Sequence, residues 1–507
     1  MVEAGPEEKR ARQRRGPDVK AASVKKPKSN DSSQGAAAPS EPFTIQIITG
    51  SYDRILHGLT ALVTPDDKVD FADTFLFNAH TTAIRCVALS EPSAPVPGQG
   101  QKVFLVSGST DEKINVYSLS AHPPSRKNQD LLAKVAPRPI LENRKNREMG
   151  TLHHHASTVT SVAFPTRGKL LSASEDSTIA VTRTRDWSLL SAIKAPIAQP
   201  KGRPSGDTAP YQGTPSGVND FAVHPSLKTM ISCMRLWNLV TGKKAGVLNF
   251  GRALLRDAGE GRHSTGEGRL VRWGRGKEGD EFAVSFDRSV IVFGADAVAR
   301  CKVLRDARSR VHDVAYVEVG EEGESLLLVS TEDGKVLLYS TRTADLVHPK
   351  KKKKTTTKKD AADADSEEEE EEEDDDDDDD EVLPGAKLVG SVGGREEGVQ
   401  SRIKAFSVIK KGKGLGETLY IVGGSSDGKV RVWKVSGKAL AGGEDDPAKV
   451  GKLLGVYGTQ NRVTCLKSFE MIPRPEGVED SDEEEEGWED DSDGDEEEGE
   501  GEDEDED

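Results

Sequence analysis

Residues 107–117 read SGSTDEKINVY, and 172–182, 284–293, 329–339 and 423–433 read SASEDSTIAVT, VSFDRSVIVF, VSTEDGKVLLY and GGSSDGKVRVW. Each joins one β-like run to a second alternating run through a short polar turn that carries Asp111, Asp176, Asp287, Asp333 or Asp427. Six positions beyond each Asp stands Tyr117, Thr182, Phe293, Tyr339 or Trp433, and ITGSYDRILHGL at 48–59 repeats the offset with Asp53 and Leu59. Alternation bounded by Gly, Ser and Asp predicts hairpins, and the constant offset puts these residues at equivalent places in successive copies.

A further strand precedes each hairpin, with a small or polar residue between its first two apolar positions. Its copies are IRCVAL from Ile84, VTSVAF from Val159, VNDFAV from Val218, VHDVAY from Val311, IKAFSV from Ile403 and VTCL from Val463, with LVRW at Leu270 a poorer one. That gives seven strands, and seven hairpins if KTMISCMRLWNL around Trp237 is included. The numbers agree only when the strand at 462–466 joins the hairpin at 45–59. The prediction is an all-β, seven-bladed propeller of WD-type repeats over 43–470, with both termini sharing the closing blade so that no terminal blade is left to peel away.

The repeat resembles the WD-repeat family, in which a His before the inner strand, a Ser or Thr in the next strand, the turn Asp and the aromatic form a structural hydrogen-bonded network. His80, Ser107, Asp111 and Tyr117 match it, as do His155, Ser172 and Asp176, with Thr182 in place of the aromatic; Asp287, Asp333, Asp427 and Trp433 are the equivalents further along. A hydrolase triad is the competing reading of Ser, His and Asp. A triad is one constellation, whereas these elements recur, and no G-x-S-x-G context is present. His153, His154 and His155 alternate faces along a strand and lack a suitably spaced carboxylate or thiol, so no metal is expected. The turn glycines lack G-x-G-x-x-G or G-K-S/T context, so no nucleotide or other cofactor is expected.

Charge divides the chain. Of 88 Asp and Glu, 37 fall in residues 367–381 and 479–507, which contain no Lys or Arg; the remainder has 51 acids against 70 bases, a net of +19. Such blocks read as disordered interaction segments. Disorder is expected over 1–42 and 471–507, with loops extruded at 196–216 and 344–384. Lys9, Arg10, Arg12, Arg14 and Arg15, followed by Lys25, Lys26 and Lys28, look like a two-part nuclear import signal. Ser366, Ser481 and Ser492 precede acidic stretches and resemble casein-kinase-type phosphorylation sites. Cys86, Cys233, Cys301 and Cys465 form no C-x-x-C pair, which fits a reducing compartment, and no apolar stretch reaches the roughly 18 residues of a membrane span.

A narrower resemblance rests on EMGTLHHHASTVTSVAF at 148–164, KLLSASEDSTIAVTRTRDW at 169–187, VNDFAVHPSLKTMIS at 218–232, MRLWNLVTGK at 234–243 and KLLGVYGTQNRVTCL at 452–466, together with the opening IITGSYDRILHGL. Together these stretches are similar to the p21-activated-kinase-interacting-protein family of WD-repeat proteins, whose fungal member is the killer-maintenance (MAK) ribosome-assembly factor. The resemblance implies a non-enzymatic scaffold in the nucleus and nucleolus for assembly of the large ribosomal subunit. Its partners would be pre-ribosomal proteins and assembly factors and, through phosphate contacts, ribosomal RNA, with the protein monomeric within the larger complex. In animals the family also implies a negative regulator of p21-activated kinase, and a histone-binding propeller is a third reading. The chain departs from the family in blade four: four residues separate Ser232 from Trp237 where nine separate Ser107 from Tyr117. Either this hairpin is shortened or five residues were lost in the gene model, and the intact flanks favour the second.

Overall fold

The computed structural model describes residues 42–124, 141, 143, 145–196, 217–232, 235–248, 250–259, 268–276, 279–303, 309–320, 324–348, 383–412, 417–441 and 449–474. Cys233, the import-like basic residues, both acidic runs, Ser366, Ser481 and Ser492 lie outside the described residues, as do most of the segments expected to be disordered. Among the described residues, strands β1–β28, numbered in chain order, form seven four-stranded antiparallel sheets, and almost no helix accompanies them. Blade 1 is β28(Val463–Glu470), β1(Phe43–Ser51), β2(Ile55–Val63) and β3(Val69–Asn78), so the last strand of the chain is the inner strand of the first blade. The register runs from Ile45 opposite Glu470 to Gly50 opposite Cys465, with a bulge before Ser51. Blades 2 to 7 then follow in sequence: β4(Ile84–Leu89), β5(Lys102–Ser109), β6(Ile114–Ser120) and β7(Arg147–Leu152); β8(Val159–Thr166), β9(Lys169–Ser174), β10(Thr178–Arg183) and β11(Leu189–Lys194); β12(Phe221–Val223), β13(Thr229–Ser232), β14(Arg235–Asn238) and β15(Lys243–Val247); β16(Leu270–Gly276), β17(Gly279–Ser285), β18(Val290–Gly294) and β19(Ala299–Val303); β20(Val311–Val319), β21(Glu324–Thr331), β22(Lys335–Ser340) and β23(Lys387–Gly393); β24(Ile403–Lys411), β25(Thr418–Ser425), β26(Lys429–Ser436) and β27(Gly451–Gly458).

The core is distributed between blades. Each of the seven buried apolar clusters spans one pair of neighbours: Ile47, Leu59 and Ala61 meet Tyr420, Val422 and Val432 between blades 1 and 7, and Leu171, Ala173 and Ile179 meet Phe221, Met230 and Trp237 between blades 3 and 4. A middle strand is therefore covered on both faces. β6(Ile114–Ser120) is buried at every position, so its polar residues Asn115, Ser118 and Ser120 are covered along with the apolar ones.

The turn Asp has a local role in its hairpin. Lys113, Thr178 and Lys429 donate their backbone N–H groups to Asp111, Asp176 and Asp427, at 3.1, 2.8 and 3.1 Å. The residue between donor and acceptor takes a left-handed backbone: Glu112 at φ 68°, Ser177 at φ 65°, Gly428 at φ 76°. The Asp side chain closes the turn that its own backbone opens.

Blade 4 pairs despite its missing residues. Ser232 lies opposite Arg235 and Met230 opposite Trp237, the same relation that Ser107 has to Asn115 and Leu105 to Tyr117, so the tip is trimmed and the body of the hairpin keeps its register. The insertion expected over 344–384 is narrower at both ends. Thr343–Asp345 form a 3-10 turn, Val347 pairs with Gly385, and Pro384 accepts a hydrogen bond from the Lys302 amide of blade 5. Among the described residues no helix is long and apolar enough to cross a membrane.

Candidate functional site

Antiparallel order fixes which chain ends share a face. Every inner strand starts on the face that carries the Asp turns, and residues brought there by the connection before the strand can reach the hairpin. In blade 2, His80 Nε2 lies 2.8 Å from Ser107 Oγ and His80 Nδ1 3.1 Å from Asp111, while Thr81 donates its N–H to the same carboxylate at 3.0 Å. Blade 3 repeats this with His155, Ser172 and Asp176 at 2.8 and 3.2 Å, and Thr178 joins at 3.1 Å. Burial holds both imidazoles below their ordinary pKa against the pull of the carboxylate. A neutral ring with Nδ1–H donated to Asp and Nε2 accepting the Ser hydroxyl satisfies every partner. Burial alone would push Asp111 up, but the Thr81 and Lys113 amides and His80 outweigh it and its pKa is lowered.

The distances are those of a catalytic triad, yet Ser107 and Ser172 are completely buried, so no substrate carbonyl can approach either oxygen. Two identical constellations in adjacent repeats anchor the incoming connection to the hairpin. Tyr117 stacks on Phe77 with its hydroxyl left without a hydrogen bond, and Thr182 is likewise buried and unpartnered, so neither extends the network. His153 is exposed and His154 half-buried, and the three histidines lie not along a strand, as expected, but in the connection that follows Leu152 and precedes Val159.

Elsewhere the same positions are solved differently. Asp287 collects Arg269 at 2.7 Å and Arg310 at 3.2 Å, and Asp333 accepts the Ser309 hydroxyl. Asp427 binds Arg431 at 3.4 Å, whereas Trp433, seemingly its partner, donates Nε1–H to Glu397 at 2.6 Å. The reason is at Gly423, which occupies the position of Ser107: a Cβ there would lie 2.7 Å from the Trp433 ring. The indole fills the space of the missing hydroxyl, and its N–H must find an acceptor in the connection before β24. In blade 4, Trp237 Nε1 donates to Ser232 Oγ at 2.9 Å with neither His nor Asp present.

The sequence pattern also conceals a belt around the channel. In blades 2 to 5 the third residue of the inner-strand motif reaches the next blade: Cys86 to the Val159 carbonyl, Ser161 to Asp220 at 2.8 Å, Asp220 to the Val271 amide at 3.1 Å and to Arg272, and Arg272 to Asp313 at 3.8 Å. Asp313 then accepts the Phe406 amide at 3.3 Å. Burial raises the Asp313 carboxyl despite the Arg272 charge. The small or polar residue in each motif is the signal for this belt, but spacing alone does not reveal its neighbours.

Seven closed four-stranded blades, two of them anchored by His–Ser–Asp networks, define a WD-repeat β-propeller, and the WD domain, G-beta repeat family matches residues 146–181, the span that carries His155, Ser172 and Asp176. At longer range the chain is 26% identical over 321 residues to Protein MAK11 of Saccharomyces cerevisiae, covering 58% of this chain and 62% of that protein. It is 24% identical to the p21-activated protein kinase-interacting protein 1-like of Danio rerio, over 61% of this chain and 66% of that one. The Xenopus laevis protein of the same name is 21% identical over 86% of this chain and 84% of its own length. The alignments thus span somewhat under two thirds of the yeast and zebrafish proteins. The chain is a relative, at modest identity, of the MAK11 and p21-activated-kinase-interacting group of WD-repeat proteins.

Proposed function

We propose that this protein is a non-enzymatic scaffold in the nucleolar assembly of the large ribosomal subunit, binding pre-ribosomal proteins and assembly factors. The observation that carries the reading is the likeness to MAK11, which extends over 321 residues and so far beyond the 36 of the single matched repeat. A rigid ring offers two faces and a rim to several partners at once, and its completely buried serines offer no reactive group. The 37 carboxylates of the acidic runs add a long-ranged attraction for basic proteins, screened over about 8 Å at physiological ionic strength, which speeds capture more than it sets specificity.

Affinity purification with and without ribonuclease, read for precursors of large-subunit RNA, tests the reading. Recovery of those precursors and slowed large-subunit RNA maturation on depletion are expected; unchanged maturation would overturn it. The second reading, a regulator that binds p21-activated kinase, is favoured by the names of the two animal relatives. Kinase recovered without ribosomal precursors would place it first. Histones recovered alone would favour a chromatin role.

A further inference from the structure

The face that carries the Asp turns has a charge pattern that the anchoring networks do not use. Immediately before the inner strands β16(Leu270–Gly276), β20(Val311–Val319), β24(Ile403–Lys411) and β28(Val463–Glu470) stand Arg269, Arg310, Arg402 and Arg462. The equivalent residues of blades 2 and 3 are Ala83 and Thr158. One step inside the strands come Arg85, His312 and Lys404, whereas blades 3 and 4 offer Thr160 and Asn219. At these positions basic residues line the channel mouth from blade 5 round to blade 2, whereas those of blades 3 and 4 are uncharged.

Their mutual influence shows how closely they gather. Burial lowers the Lys404 ammonium from its ordinary value, and Arg402, Arg269, Arg85 and Arg462 lower it further. Burial, then Lys404, Arg402, Arg269 and Arg310, bring His312 to about 4, and its Nε2 is buried without a hydrogen-bond partner. The facing carboxylates are those of the turns. Asp287 is shared by Arg269, Arg288 and Arg310, Glu332 lies 3.7 Å from Arg402, and Asp53 accepts the Arg462 backbone amide. Asp333 and Asp427 are occupied by Ser309 and Arg431. Arg85 and Lys404 have no ion-pair partner among the described residues.

We infer that the channel mouth on this face binds an acidic peptide strand of a partner protein. The guanidinium groups of the mouth already hold carboxylates at the rim, and Arg85 and Lys404, set among like charges without an ion-pair partner, gain most from an incoming polycarboxylate. Single-stranded RNA would need stacking platforms, and among the described residues of this rim the exposed aromatic is Tyr52, which lies under Arg462. The strand ends that lead toward the protein's own acidic runs lie at the other face: the end of β22(Lys335–Ser340) and start of β23(Lys387–Gly393) for one, the end of β28 for the other. This inference goes beyond the scaffold reading and does not depend on which assembly the protein serves.

The test is fluorescence anisotropy on the full chain with a labelled Glu/Asp peptide and, separately, an oligouridylate of equal charge. Arg402→Glu with Lys404→Glu should weaken peptide binding by about tenfold at physiological salt, while Lys243→Glu with Lys244→Glu on the outer strand of blade 4 should leave it within about twofold. Should the first pair lower the melting temperature, Arg269→Ser with Arg310→Ser, both more than half exposed, supplies the same reading with about threefold loss. Equal losses in the blade 4 control, or tighter binding of the oligouridylate at the same site, would overturn the inference. So would peptide binding that emerges only after residues 349–382 and 475–507 are deleted, since the chain's own acid would then be the occupant.

Discussion

Blades 3 and 7 follow one four-stranded plan around different interiors. In blade 3 a buried His–Ser–Asp network ties the incoming connection to the hairpin; in blade 7 the indole of Trp433 fills that space and Glu397 anchors it. Both solutions leave the apolar clusters on either side intact. The difference teaches that the fold requires an anchor between connection and hairpin but not one chemistry for it. Packing between blades carries the ring, and the anchor fixes the turn face on which partners would be met.

The severest break of the comparison removes a whole strand. Ending the chain before Arg462 deletes β28, exposing β1 and the clusters on both of its sides, and should abolish cooperative unfolding in calorimetry. A truncated chain with an undiminished transition would show that blades are independent and that closure adds nothing. Next in size, His155→Ala leaves the buried Ser172 and the half-buried Asp176 without their shared partner and opens a void; denaturant unfolding should show a loss of about 3 kcal/mol.

Gly423→Ser sharpens the contrast, because it restores to blade 7 the residue that blade 3 has. It should destabilise by about 2 kcal/mol, since the new Cβ meets the Trp433 ring at 2.7 Å. A stabilised variant would mean the indole moves aside and the two anchors can coexist. Glu397→Gln keeps an acceptor for Trp433 but weakens the contacts to Lys449 at 3.0 Å and the Gly393 amide, and about 1 kcal/mol should be lost.

The smallest effect is a slope with pH. His80 and His155 have folded pKa values below the ordinary imidazole value of 6.5, and so does His312, at about 4. The unfolded chain then binds more protons than the folded one below about pH 6.5, so stability is full above that value and declines as the pH falls. Melting temperatures should drop between pH 7 and pH 5. The drop should be shallower in His155→Ala and unaltered in Glu397→Gln, since blade 7 anchors without a histidine; equal slopes in all three would reject this account.

How much was legible in advance follows from the length of the interactions. The turn Asp, the left-handed residue after it and the hairpin itself are local, so SASEDSTIAVT at 172–182 suffices to predict them. Seven strands and seven hairpins also determine closure, because the count balances only if Val463 returns to Ile47. The anchors of blades 2 and 3 were readable because they repeat.

Contacts set by side chains arriving from other blades were not readable. Nothing near Trp433 in the chain announces Glu397, and the missing serine at Gly423 has meaning only once the indole is seen to fill its place. The belt through Ser161, Asp220, Arg272 and Asp313 joins four blades by residues dozens of positions apart. The basic mouth gathers Arg85 with Arg462 across nearly the whole sequence. By itself the sequence determined the repeat, its turns and the closed ring, because periodicity and turn chemistry act within one blade. Only the tertiary structure decided which charges face one another across the channel, because radial closure brings to one point residues that no local pattern relates.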